Sequence, residues 1–156
     1  MVFHVLARCW RLPGNFCLVN DRKYERLLRE IGTPESRIED TIQQAISSTD
    51  LVLVEHNHQV FWKGKPINIA WHKQGRLWRF FWKLCAKAKK GRAVNFSDFP
   101  NGQDDVSQDY PAKTKSELIK QRNFPPDLKK FLISAGHKFQ KLDMPPERIR
   151  LFAERD

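Results

Sequence analysis

The sequence predicts an α+β domain, and three observations carry that expectation. Across residues 71–91 the apolar side chains Leu77, Phe80, Phe81, Leu84, Cys85 and Ala88 recur at helical offsets, which gathers them on one face of a long helix. Just before it, residues 51–70 hold short β-rich runs separated by polar turns. Apolar residues make up 40% of the 156 positions and aromatics 12%, with eleven Phe and five Trp, so a real core is expected although 29% of the chain is charged.

Taken in order, residues 2–9 read as a short strand or helix, Pro13-Gly14-Asn15 as a turn and residues 16–19 as a second short strand. Asp21 can cap a helix reaching about Ile31, with Tyr24, Leu27, Leu28 and Ile31 as its stripe and Gly32 as its stop. Thr33 as cap, Pro34 at the first helical position and Glu35 in the first turn open a second helix with the stripe Ile38, Ile42, Ala45, Ile46. Residues 21–48 therefore read as a helical hairpin. Three antiparallel strands follow at 51–55, 59–62 and 67–70, joined at His56-Asn57-His58 and Lys63-Gly64-Lys65-Pro66.

The helix over 71–91 ends in lysines, which suit the negative end of its dipole, and Gly91 is placed to be its C′ residue. Residues 92–99 read as a turn with a short helix or strand, and 100–112 as a polar loop of negative local charge. A helix beginning at Thr114 or Ser116 and ending near Asn123 has Leu118 and Ile119 as anchors. From Asp127 to Leu142 the spacing of Leu128, Phe131, Leu132, Ala135, Phe139 and Leu142 predicts another helix, weakened by about 1 kcal/mol at Gly136. Residues 148–152 alternate basic with apolar, as a half-buried strand does. Residues 1–50 then form an α-rich section packed on a core made by 51–156.

The formal charge of +10 points to a polyanion. The helix over 71–91 alone carries Lys73, Arg76, Arg79, Lys83, Lys87, Lys89 and Lys90 with no acidic residue. No apolar run approaches the roughly 20 residues that span a bilayer, and the charge is spread along the chain, so no membrane partner is expected. Cys9, Cys17 and Cys85 are too few and scattered for a disulfide framework or a zinc module. The start lacks a continuous apolar segment of the signal-peptide kind, interrupted as it is by His4 and Arg8, and a cytoplasmic location is expected.

Sites with catalytic or metal chemistry are weakly specified. His56 and His58, with Glu55 and His72 nearby, lack a third ligand at a defined spacing, and a polar hairpin tip accounts for them. Cys9, Cys17 and His4 form an equally loose group, and Cys85 falls on the buried stripe. Asp98, Asp104, Asp105 and Asp109 lack the glycine and glutamate placement of a calcium loop. No phosphate-binding glycine loop, serine elbow or nucleophile–base pair is present. No catalytic residue, metal or cofactor is expected, and an acidic-loop or histidine-pair nuclease is the lesser alternative.

Strands, a turn within Val60-Phe61-Trp62-Lys63-Gly64-Lys65-Pro66-Ile67, a long amphipathic helix and then Gly91-Arg92-Ala93-Val94-Asn95 follow one another in an order that resembles the winged helix-turn-helix domain of response-regulator effector proteins. The resemblance covers about residues 51–152. It implies a winged-helix-like core of short antiparallel strands plus three helices, in which a recognition helix enters DNA and a terminal β-hairpin forms the wing. Carried onto this chain, it makes Asp127–Leu142 the recognition helix, with Lys129, Lys130, His137, Lys138 and Lys141 as DNA contacts and Arg148 and Arg150 at the first wing strand. Lysine serves phosphates more than base edges, leaving Gln140, Gln121, Arg122 and Asn123 as base readers. The function expected is non-catalytic binding of nucleic acid, duplex DNA before RNA, in transcription regulation. The alternative is a protein-interaction module presenting Trp62, Trp71, Trp78 and Trp82 to an acidic partner.

Overall fold

The run Leu51-Val52-Leu53-Val54 is apolar at four successive positions, a pattern that suits a strand covered on both faces. The computed structural model describes residues 34–99, 109–136 and 138–153, and in it β1 (Leu51–Val54) is buried throughout. The chain divides into two compact units, Met1–Thr41 and Ile42–Asp156. Helix α1 (Pro34–Ser48) begins in the first and ends in the second. The elements expected at 2–9, 16–19 and 21–31, the Thr33 cap, positions 100–108 of the polar loop and His137 lie outside the described residues.

β1 sits inside a four-stranded sheet of order β3-β2-β1-β6, with β2 at Gln59–Trp62, β3 at Lys65–Pro66 and β6 at Ile149–Phe152. β1 pairs antiparallel with β2, Leu51 opposite Trp62, and parallel with β6, Leu51 opposite Ile149. Alternation along β1 divides the core. Leu51 and Leu53 join the main cluster, while Val52 and Val54 pack with Ile42, Ala45 and Ile46 of α1 and with Phe61 and Phe152. Ile38, one full turn earlier on the expected stripe of α1, is 59% exposed.

Lys63 and Gly64 join β2 to β3 with φ of 47° and 79°, the two-residue left-handed turn that matches strand twist. The third expected strand, 67–70, is not one. The ladder stops at Pro66, Ile67 drops into the core, and a 3-10 turn over Trp71–Lys73 follows.

Helix α2 (Gly75–Ala88) follows its sequence pattern: Leu77, Phe80, Phe81, Leu84, Cys85 and Ala88 are all buried, and Trp78 with them. Its end is a Schellman motif, in which Arg92 N–H donates to the Lys87 carbonyl and Gly91 N–H to that of Ala88, both at 2.9 Å. Gly91 has a φ of 65°, as the C′ position requires. Trp71 stacks on Phe81 at 5.6 Å, and Phe124 meets Phe81 in a T-shaped contact at 5.8 Å.

The remaining elements are a 3-10 turn at Phe96–Asp98, α3 (Tyr110–Lys120), the one-turn helix α4 (Pro126–Lys129), β4 (Leu132–Ser134), β5 (Gln140–Leu142) and a 3-10 turn at Pro146–Arg148. The helix expected over Asp127–Leu142 is therefore a helical turn followed by a β-hairpin. Gly136 and Lys138, with φ of 90° and 72°, are left-handed positions that end any helix and make the reversal. Pairing of Leu132 with Leu142 and of Ser134 with Gln140 puts those four side chains on one face of the hairpin, where Leu132, Gln140 and Leu142 are buried and Ser134 stays exposed at its end. Val94 bridges Gln140 from the far edge of β5, exchanging backbone bonds of 2.8 and 2.9 Å. The helix expected over 114–123 starts earlier, at Tyr110, with Pro111 in its first turn where a missing N–H costs nothing.

Candidate nucleic-acid interface

Helix α3 buries Pro111, Thr114 and Leu118 against the core and contacts α2 and β5. What it leaves outward is set by helical spacing: Lys113, Ser116 and Lys120 are exposed at offsets of three and four. Glu117, on the same side, is ion-paired to Arg76 of α2. Lys113 and Lys120 have no acidic partner among the described residues.

Lys115 turns toward the hairpin instead. Its ammonium donates to Ser134 Oγ at 2.8 Å, and that hydroxyl donates to Gln140 Oε1 at 3.1 Å. Partial burial lowers the Lys115 pKa. Gln140 is 3% exposed, so it reads no base; it is the inner end of a polar link that fixes α3 to β4 and β5.

A second group of cations reaches the hairpin by another route. Lys89, Lys90 and Arg92 are exposed around the Gly91 reversal and have no acidic partner among the described residues, and two residues on, Val94 bridges β5. Lys87, one turn back, pairs with Asp98 at 2.5 Å. Partial burial works against ionisation of Asp98, but the Lys87 ammonium, the Asn95 N–H donating to Oδ2 at 2.9 Å, and Lys83 together hold its carboxyl below the ordinary range.

The residues expected to contact DNA from one helix are dispersed. Lys129 ends α4, and Lys130 is its C-cap residue, 3.7 Å from Asp127. Lys138 is exposed at the hairpin reversal, and Lys141 is on β5, 3.1 Å from Asp143. Arg148 and Arg150 are not on a wing strand: Arg148 ends a 3-10 turn, and Arg150 is on β6, which belongs to the main sheet, paired with β1. Arg148 ion-pairs with Asp50 and lies over the Phe131 ring at 5.6 Å, while Arg150 is exposed. Of the other expected base readers, Asn123 donates its side-chain N–H to the Asn68 carbonyl at 2.6 Å, and Arg122 is exposed. Lys113, Lys115 and Lys120 were outside the expected contact set. Their signal in the sequence was three lysines against a single glutamate around Leu118.

The tryptophans of the interaction-module alternative do not form an exposed set. Trp62, Trp71 and Trp78 are buried, and Trp82 packs partly buried beside Trp78 at 5.6 Å. His58 is spent similarly, its ring lying 4.7 Å from that of Trp78 at a steep angle. Among the described residues no group of three or more His, Cys, Asp or Glu is arranged to hold a metal ion, and no helix is long and apolar enough to cross a membrane. Burial pushes the Cys85 thiol up, which leaves it inert at neutral pH. No protein-family model matches the chain, and no curated protein or solved structure is significantly similar to it.

Proposed function

We propose that this protein binds nucleic acid without catalysis, duplex DNA in the first instance, through α3 and the β4–β5 hairpin. The observation that carries the reading is the Lys115–Ser134–Gln140 link, which ties a helix with outward lysines to the β4–β5 hairpin. Sheet, long helix, 3-10 turn, α3, the one-turn α4 and the β4–β5 hairpin follow one another before β6, an order compatible with a winged-helix-like core in which α3 would serve as recognition helix and β4–β5 as wing. Lys113 and Lys120 supply phosphate contacts, Lys89, Lys90 and Arg92 add positive potential, and transcription regulation in the cytoplasm is the role this arrangement suits.

The test is binding of a labelled mixed-sequence duplex across roughly 50 to 200 mM salt, where several phosphate contacts cost orders of magnitude in affinity. A steep fall in affinity is expected. Absence of binding at the low end would refute the reading.

A further inference from the structure

Resting on that reading, we infer that the outward row of α2 is a second phosphate-contact surface, over which the same duplex continues beyond α3. Opposite its buried stripe, α2 presents Arg76, Arg79 and Lys83 at offsets of three and four, all exposed, and Lys90 extends the row just past the helix end. The helix contains no acidic residue. Among the described residues Arg79, Lys83 and Lys90 make no ion pair. Arg79 Nε reaches only the Gly75 carbonyl of its own helix, at 3.4 Å, and Lys83 adds only its field to Asp98, a carboxylate already held by Lys87.

Two arguments say what meets this row. Like charges three and four apart on a helix repel, and an exposed helix ordinarily offsets this by interleaving glutamate with lysine. Helix α2 does not, so its row is relieved only by a negative partner. The second argument is continuity with α3. Lys113, Glu117 and Lys120 form one row there, at offsets of four and three, and the Arg76–Glu117 ion pair joins that row to the row of α2. Lys115, two positions from Lys113, is on the opposite flank, bonded to the hairpin. The cations of α3 and α2 therefore form one strip, interrupted by a single neutralised carboxylate. Arg76 to Lys83 spans about 10 Å of helix, and duplex DNA carries one charge per ~1.7 Å of its axis, so a row of this length meets several phosphates.

The experiment measures affinity for a labelled continuous duplex across roughly 50 to 200 mM salt, using the wild type, Arg79→Ala with Lys83→Ala, Lys113→Ala with Lys120→Ala, and all four substitutions together. Alanine suits exposed helical positions, so the fold is retained, and the charge-preserving pair Arg79→Lys with Lys83→Arg should keep the wild-type slope. The α2 pair should flatten the slope of log K against log salt by about 1.8, and the quadruple variant by about 3.6, because the two rows hold different phosphates. A slope unchanged by the α2 pair overturns the inference, as does a quadruple variant no flatter than the α3 pair. Equal flattening in Lys130→Ala with Lys141→Ala, whose ammonium groups face Asp127 and Asp143, overturns it too, since net charge alone would then account for the effect. Lost bridging between duplexes, with the slope of the single-duplex complex unchanged, overturns it in favour of a second duplex on this face. An unchanged slope in the α3 pair, or no binding by the wild type at the low end of the series, refutes the underlying reading instead.

Discussion

Replacing Lys113 and Lys120 together by alanine tests the interface at the point where charge and geometry separate. Both side chains are exposed, lack an acidic partner among the described residues and lie seven positions apart on α3, about 10 Å along its axis. Each phosphate neutralised on duplex DNA contributes about −0.9 to the slope of log K against log salt, so losing two should flatten it by about 1.8. At roughly 0.1 M salt the same two contacts amount to about 1.8 decades of affinity, roughly 60-fold or ~2.5 kcal/mol. The control is Lys130→Ala with Lys141→Ala, which removes the same formal charge from residues already facing Asp127 and Asp143. Fluorescence anisotropy on a labelled duplex across the salt series reads both quantities. Equal flattening in the two double variants would mean that only net charge counts, and an unchanged slope in the α3 variant would remove that helix from the interface.

Two further predictions concern the fold. Gly64→Ala should destabilise by about 1 kcal/mol in urea unfolding, the left-handed backbone penalty of about 1–2 kcal/mol being partly offset by reduced freedom of the unfolded chain. The added methyl would meet the Ile46 carbonyl at an ordinary 3.7 Å, so a much larger loss would refute the backbone explanation. Asp98 ionises more readily folded than unfolded, so its contribution is present above the unfolded pKa near 4 and is lost as pH falls through the lower folded value. Asp98→Asn should therefore be less stable than the wild type at neutral pH, with the gap closing toward pH ~3; a gap independent of pH would locate the effect in shape rather than charge.

Helix α2 was legible because its apolar residues satisfy period 3.6 and no other, and Gly91 closed it by a backbone conformation that favours glycine. β1 was legible because four consecutive β-branched or leucine residues suit a strand covered on both sides. The hairpin was not. Leu128, Leu132, Phe139 and Leu142 fit a helical stripe, yet Leu128 belongs to a helical turn, Leu132 and Leu142 pair on the buried face of a hairpin and Phe139 is exposed; the choice is made by the left-handed backbone at Gly136 and Lys138, together with pairing to Val94 some 46 positions away. The site suffered the same blindness. Net charge is visible in composition, but which cations are already neutralised depends on partners such as Asp50 for Arg148, 98 positions apart.

That same separation governs how the molecule assembles. β1 obtains one neighbour at once, from β2 across a short turn, but its other edge is satisfied only by β6, with every residue pair 98 positions apart. High contact order of this kind slows folding, because the loop must close before the parallel ladder returns any free energy. On a growing chain β1 would wait for nearly one hundred further residues with an uncharged, strand-prone edge open to other chains. Ile149–Phe152 is thus the segment whose arrival takes this strand-prone stretch out of circulation.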